Sequence, residues 1–280
     1  MKYFANILII LIFLFLNSCS NDKKKIDIIE EEDIELQMID SYKEGIKALQ
    51  EGDSLFAAKK FNEAELVYPQ SDWAPKSALM SAYSYYIHDY YGDAVFELNR
   101  FIKTYPKDLR LSYAHFLLGM CYYEQIINEK KDLGPILKAK EKFNYILKKY
   151  PSTDFALDAQ FKLNLINDIL ASKEIYLGRY YIKREKWVAA LNRFKNVVDN
   201  YNTTIYIDEA LHRLVEIHYR LGLIEESKKY AAVLGYNYQS SKWYHASYTI
   251  FNRDYESSIK KINKKNGNFV IRKFKSLFEQ

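Results

Sequence analysis

The chain has 280 residues, with 41 Lys and Arg against 36 Asp and Glu, a net charge of +5. That excess is too slight to point to nucleic acid, and two cysteines are too few to organise a disulfide framework, so apolar packing must hold the fold. Only 9 glycines and 5 prolines favour long helices, and 26 tyrosines supply wide aromatic contact surfaces.

At the N-terminus a charged residue, Lys2, precedes an unbroken apolar run from Ile7 to Leu16, the spacer Asn17-Ser18, and then Cys19. The run is shorter than the ~20 residues of a spanning helix and has the layout of a secretory signal. A cysteine directly after the cut makes Leu16-Asn17-Ser18-Cys19 resemble a bacterial lipoprotein signal. That resemblance implies a mature chain that starts at Cys19 and carries lipid on its sulfur and amino group. Two or more acyl chains anchor stably, at ~0.8 kcal/mol per buried methylene. The plainer alternatives are a cleaved signal without lipid and an uncleaved anchor, and Asn17 departs from the small residue usual at its slot. Residues 1–18 are read as the signal peptide. Residues 19–35 are read as lipidated Cys19 and a polar tether holding Lys23-Lys24-Lys25 and Glu30-Glu31-Glu32-Asp33. Ser20 is not the aspartate that retains lipoproteins in the inner membrane, so the sorting pattern favours the outer membrane.

Residues 36–249 repeat. A small residue followed four later by a bulky one recurs as Ala57/Phe61, Ala94/Leu98, Ala139/Phe143 and Ala190/Phe194, at steps of 37, 45 and 51. The helix-ending Tyr68-Pro69, Tyr105-Pro106 and Tyr150-Pro151 keep the same steps, and Tyr201-Asn202 is a degenerate fourth ending whose missing proline predicts a looser turn. A drifting fifth unit holds Ser227, Ala231 and Leu234, with Gln239 in the proline slot. Earlier helices carry Leu118-Gly119-Met120-Cys121-Tyr122 and Leu177-Gly178-Arg179-Tyr180-Tyr181. Leu-Gly-x-x-Tyr, then Ala, then Phe, then Pro is the tetratricopeptide pattern. Glycine and alanine let two helices approach, and the aromatic fills the gap between hairpins. The predicted fold is all-α, a tetratricopeptide solenoid of about five helical hairpins. The long steps place insertions at Glu124–Leu137, where Gly134-Pro135 breaks the helix, and at Ser152–Ala171, about four extra helical turns. Ser152-Thr153-Asp154 and Asp72, ahead of Trp73-Ala74-Pro75, read as helix starts. Cys121 sits in an apolar helical stretch and is expected to be buried. The basic end, residues 250–280, reads as a solvated helix, with an acidic partner as the rival reading.

Nothing points to catalysis. His88, His115, His212, His218 and His245 form no i, i+4 pair, and there is no glycine-rich phosphate loop. An enzyme is not expected, and neither is a metal or any cofactor beyond covalent lipid on Cys19. Binding remains, in the groove that the earlier helices of such an array line. Tyr122 and Tyr181 occupy packing slots, whereas Tyr83, Tyr85, Tyr86, Tyr90 and Tyr91 exceed what one packed face needs.

Residues 40–245 resemble the BamD family, tetratricopeptide lipoproteins of the outer-membrane β-barrel assembly machinery. The match is carried by Tyr68-Pro69 with Trp73-Ala74-Pro75, by Ala82-Tyr83-Ser84-Tyr85-Tyr86, by Arg100-Phe101-Ile102, and by Tyr180 to Arg184 through Trp187-Val188-Ala189-Ala190-Leu191-Asn192-Arg193. The resemblance implies a non-catalytic protein on the periplasmic face of the outer membrane. Its implied partners are the barrel-forming subunit, accessory lipoproteins and unfolded outer-membrane proteins. By position, Arg193, with Tyr181 and Trp187, falls where the family meets the barrel subunit. An arginine fork suits an acidic partner. Tyr68, with Trp73 and Tyr85, falls where the family receives the C-terminal strand of its substrates. A solvated charge and a packing residue are the plain alternatives for Arg193 and Tyr68. Two other functions fit the repeat: a periplasmic adaptor coordinating cell-wall synthesis with envelope constriction, and a glycan-binding lipoprotein.

Overall fold

A computed structural model describes residues 31–127 and 132–252, with side chains from residue 34. Cys19, the apolar run before it and the basic tail from residue 253 lie outside the described residues. Eleven helices are present among the described residues, and no strand. They are α1 (Glu31–Glu51), α2 (Ser54–Val67), α3 (Trp73–Tyr86), α4 (Tyr91–Thr104), α5 (Leu111–Tyr123), α6 (Gly134–Lys149), α7 (Asp154–Lys183), α8 (Trp187–Asn200), α9 (Ile207–Arg220), α10 (Ile224–Asn237) and α11 (Lys242–Phe251). Each packs on the next, and α11 closes the array against α9 and α10. The result is five antiparallel hairpins plus a terminal helix. The first turn of α1 takes in residues 31–35, which the sequence reads as tether, and α11 runs two residues past position 249.

The repeat landmarks are the core. Ala57, Phe61, Ala94, Leu98, Ala139, Phe143, Ala190 and Phe194 are all fully buried. The aromatic ring also works within its own hairpin: a Cβ built on Gly119 would lie 2.7 Å from Phe143. Cys121 is buried, and burial pushes its thiol up to about 12.

Tyrosine ends every second helix. Tyr68, Tyr105, Tyr150, Tyr201 and Tyr238 are the C-caps of α2, α4, α6, α8 and α10, each with φ between −118° and −138°. Each tyrosine carbonyl then accepts from the amide three residues on, at Ser71, Asp108, Thr153, Thr204 and Ser241 (3.0–3.2 Å). The hydroxyls of Ser71, Thr153 and Thr204 donate to the same carbonyls at 2.7–2.8 Å. The fourth turn is therefore closed as tightly as the others, which corrects the looser turn expected from Asn202. Proline only reinforces an ending that Tyr-x-x-Ser/Thr/Asp already makes. Both expected starts hold, α3 directly after Asp72 and α7 directly after Thr153, but neither N-cap residue bonds its helix through its side chain. Asp72 makes no side-chain cap bond, and Ser71 Oγ accepts from Ala74 N instead (3.2 Å). Thr153 likewise spends its hydroxyl on the preceding turn.

Within the hairpins the chain reverses through left-handed residues, Gly52 (φ 85°), Asp89 (φ 64°), Glu185 (φ 56°) and Gly222 (φ 78°). The third hairpin instead carries the expected insertion, with Gly134-Pro135 opening α6. The second insertion is the front of α7, one continuous helix of 30 residues. Of the five clustered tyrosines only Tyr90 is exposed; Tyr83, Tyr85, Tyr86 and Tyr91 are half-buried.

Candidate binding surfaces

The first surface lies on the fourth hairpin. Glu174 and Tyr181 of α7 and Asn192, Arg193, Asn196 and Asp199 of α8 line a polar depression of about 610 Å³. Helical spacing puts Asn192, Asn196 and Asp199 on one stripe of α8. Arg193 Nη1 reaches the Glu174 carboxylate at 3.3 and 3.4 Å, beyond the 2.7–2.9 Å of a strong charged bond. Its side chain is 40% exposed, against 14% for Glu174. So Arg193 is part-exposed, and the carboxylate behind it holds its fork only loosely. Of the three residues expected to meet a partner here, Arg193 and Tyr181 come together. Trp187 does not line the depression: it packs beside Ala190 and Phe194 in the core, with the Arg220 guanidinium 4.9 Å from its ring centre.

The second surface lies on the first helices of hairpins one to three. Tyr42 of α1 meets Trp73 of α3 edge to face, with centroids 5.1 Å apart. Lys76 Nζ stands over both rings, at 4.3 Å from Trp73 and 5.1 Å from Tyr42. Tyr68 is half-buried against the same cluster. Next to it Lys76, Leu79, Met80, Tyr83, Arg110 and Tyr113 line an apolar cavity of about 360 Å³. Burial pushes the Tyr113 phenol up to about 12. Tyr85 is not part of this cavity. It packs on the α4 side, where burial first, and then Glu97 and Asp93, hold its phenol above its ordinary value. Tyr68 and Trp73 therefore share a site that Tyr85 does not join. Tyr83 and Tyr113 take its place, and the dense tyrosine run around Tyr83 is the only sequence signal that could have found either.

The second helices carry buried charge with a structural cause. Glu65 of α2 is 5% exposed. Arg100 of α4 grips it with Nη1 and Nη2 at 2.7 and 2.6 Å and holds Glu97 through Nε at 2.7 Å. The Tyr105 hydroxyl also donates to Glu65 (2.7 Å). A matching clasp joins α7 to α9, where Arg179 Nε donates to Glu209 (2.7 Å) and Nη2 binds the other oxygen. These pairs fix the pitch between hairpins. His212 is likewise committed, bonded to Ser247 Oγ at 2.8 Å across the α9–α11 contact. Among the described residues no three His, Cys, Asp or Glu side chains are grouped to hold a metal ion, and no helix is long and apolar enough to cross a membrane.

Comparison with known proteins matches this architecture. A family model described as YfiO, outer membrane lipoprotein, matches residues 34–234, from the first turns of α1 to near the end of α10. The outer membrane protein assembly factor BamD of Rickettsia prowazekii (strain Madrid E) is 38% identical over 242 residues, covering 86% of this chain and 94% of that protein. BamD of Caulobacter vibrioides is 37% identical over 235 residues, covering 84% and 76%. BamD of Neisseria gonorrhoeae is 28% identical over 189 residues, covering 64% and 70%. On the strength of that span and identity, the chain belongs to the YfiO family of outer membrane lipoproteins, alongside the BamD assembly factors.

Proposed function

We propose that this chain serves outer-membrane protein assembly as a docking scaffold without bond-making chemistry, held at the periplasmic face of the outer membrane by lipid on Cys19. The observation that carries this is the half-open Arg193 fork at the rim of the fourth-hairpin depression, poorly satisfied by Glu174. An acidic group on the barrel-forming subunit completes that fork, and accessory lipoproteins dock elsewhere on the array. The first three hairpins receive unfolded outer-membrane proteins at the aromatic cluster of Tyr68 and Trp73. Covalent lipid is the one prosthetic group this role needs.

Co-purification from detergent-solubilised envelopes tests the reading. The wild-type chain is expected to recover a large outer-membrane barrel protein. Arg193→Glu places a second carboxylate beside Glu174 and should cut that recovery at least tenfold, with Arg193→Gln intermediate and helicity unchanged in both. Equal recovery with all three chains would remove Arg193 from the interface. Recovery of cell-wall synthases in place of a barrel protein would favour the adaptor reading.

A further inference from the structure

The long first helix of hairpin four makes a step in the array. The front half of α7, from Ala156 to Leu170, buries against hairpin three beside Ile136 and Phe143. The rear half, with Ala171 and Ile175, buries instead against Phe194, Ala210 and Leu214 of hairpins four and five. At 1.5 Å per residue the rear half adds roughly 20 Å, so the turns of the last two hairpins project past the end of α5. These two turns lie side by side, because the Arg220 guanidinium at the end of α9 stands 4.9 Å from the Trp187 ring at the start of α8.

The projecting edge is basic, and the chain does not neutralise it. Lys183 and Arg184 end α7, Lys186 precedes α8 and Arg220 ends α9, and none of the four forms an ion pair among the described residues. Arg184 and Arg220 rest on the faces of Tyr180 (5.1 Å) and Trp187, which orient a cation without neutralising it. Any helix C-terminus favours cations, yet α1, α3 and α5 carry none in their last turns. The turns of hairpins one and two hold Asp53 and Asp89 instead. Exposed apolar side chains stand among the cations: Tyr180, Val188 (69% exposed), Tyr219, Leu221 and Leu223. α11 ends at the same edge, where Phe251 meets Tyr219 at 5.5 Å. Residues 253–280, with eight Lys and Arg against three Asp and Glu, therefore leave the array there. Two neighbouring turns make a convex edge, which suits a flat surface better than a shaped recess. An anionic plane that admits apolar side chains between its charges satisfies both features, and a phospholipid headgroup layer is such a plane.

We propose that the turns of hairpins four and five are a second membrane contact: Lys183, Arg184, Lys186 and Arg220 pair with anionic phospholipid headgroups, while Tyr180, Val188 and the Leu221–Leu223 turn enter the interface. The inference rests on the reading of the chain as anchored to a membrane by Cys19. A lipid anchor keeps the chain near the surface but leaves its tilt free. A basic foot at the far end of α7 removes that freedom, and it sets the height at which the fourth-hairpin depression meets its partner. The basic residues 253–280 start from the foot and add to its charge.

Vesicle binding by the whole mature chain carrying Cys19→Ala, and so without its anchor, tests the foot alone. Binding to phosphatidylcholine vesicles holding about 30% phosphatidylglycerol is expected to exceed binding to pure phosphatidylcholine about tenfold, and to weaken with salt. Lys183→Gln, Arg184→Gln and Lys186→Gln together should remove most of that preference with helicity unchanged. A dye on Val188→Cys should brighten and shift to the blue on the anionic vesicles, whereas one on Leu157→Cys, in the front half of α7, should not; the buried Cys121 escapes labelling. Equal binding to both vesicles overturns the charge pairing. A loss of binding on neutralising Lys260, Lys261, Lys264 and Lys265 but not the α7–α8 turn overturns the assignment to the foot, as does an unchanged dye on Val188→Cys or an equal response from both dyes. No binding to either vesicle overturns this inference and leaves the lipid anchor and the assembly role standing.

Discussion

A Cβ on Gly178 would come within 2.5 Å of the Phe194 ring, and both residues are buried. The same pairing recurs at Gly119 with Phe143 (2.7 Å) and at Gly45 with Phe61 (2.9 Å). In the second hairpin the equivalent residues are Ala82 and Leu98, and in the fifth Val215 and Ala231. As the first helix gains bulk, the second gives it up. What the repeat conserves between its helices is a filled volume, shared between two slots, and not either residue.

Gly178→Ala should therefore destabilise the chain by about 1–3 kcal/mol, because the ring has nowhere to move in a packed core. Phe194→Leu alone leaves a void and also destabilises. Together they recreate the Ala82/Leu98 pairing and should recover much of the loss. A double-mutant cycle in urea is expected to give a coupling of at least about 1 kcal/mol. Additive losses would show that the two slots do not share a volume.

Glu65 stands where the second helices of hairpins two, three and four place Ile102, Leu147 and Val198, so an acid occupies an apolar slot and is answered by Arg100 and Tyr105. Arg100→Met strands that buried charge and should cost about 3–5 kcal/mol. Arg100 also holds the buried Glu97, so the whole clasp must go at once: Glu65→Leu and Glu97→Gln with Arg100→Met leave no buried charge behind. That triple variant is expected to unfold at or above the wild-type temperature. A triple variant as weak as Arg100→Met alone would mean that the clasp contributes net stability.

Stability should also fall with acid in a defined window. Burial, with help from Arg213, holds the His212 imidazole down to about 4, against an ordinary 6.5, while Glu216 and Glu209 pull the other way. The unfolded chain then takes up the proton first. Stability tied to this site is full above about pH 6.5, declines as pH falls and levels off near pH 4. A shift of that size corresponds to roughly 3 kcal/mol. His115, lowered by burial and by Lys142, acts in the same direction. His212→Gln, which can still bond Ser247, is expected to flatten the fall in melting temperature between pH 6.5 and 4.5. An unchanged slope would place the pH dependence elsewhere.

The fold was legible because its markers are local. A small residue four before a bulky one, repeated with a helix-ending tyrosine, states both the helix period and the unit length, and the irregular steps located the Glu124–Leu137 insertion and the long α7. The weight given to proline was misplaced: Tyr201 and Tyr238 end helices without one, since a Thr or Ser three residues on closes the turn. The sites were less legible. Choosing Tyr85 over Tyr83 turns on two positions of a helix, some 200° of rotation, in a stretch with too many tyrosines to show a polar face. The partner of Tyr83 across the cavity, Tyr113, comes from a helix thirty residues away, and only the packing of hairpin on hairpin brings them together. Arg193 could be placed by resemblance, but Glu174 behind it follows from the register of α7 against α8.

Depletion of this chain from its own cells, followed by quantification of β-barrel proteins in isolated outer membranes, addresses the proposed role most directly. Barrel proteins should fall several-fold and accumulate unfolded in the periplasm, and a chain carrying Cys19→Ala or Arg193→Glu should restore them poorly. Outer membranes with a full complement of barrel proteins after depletion, in cells failing instead at wall synthesis or constriction, would contradict the account.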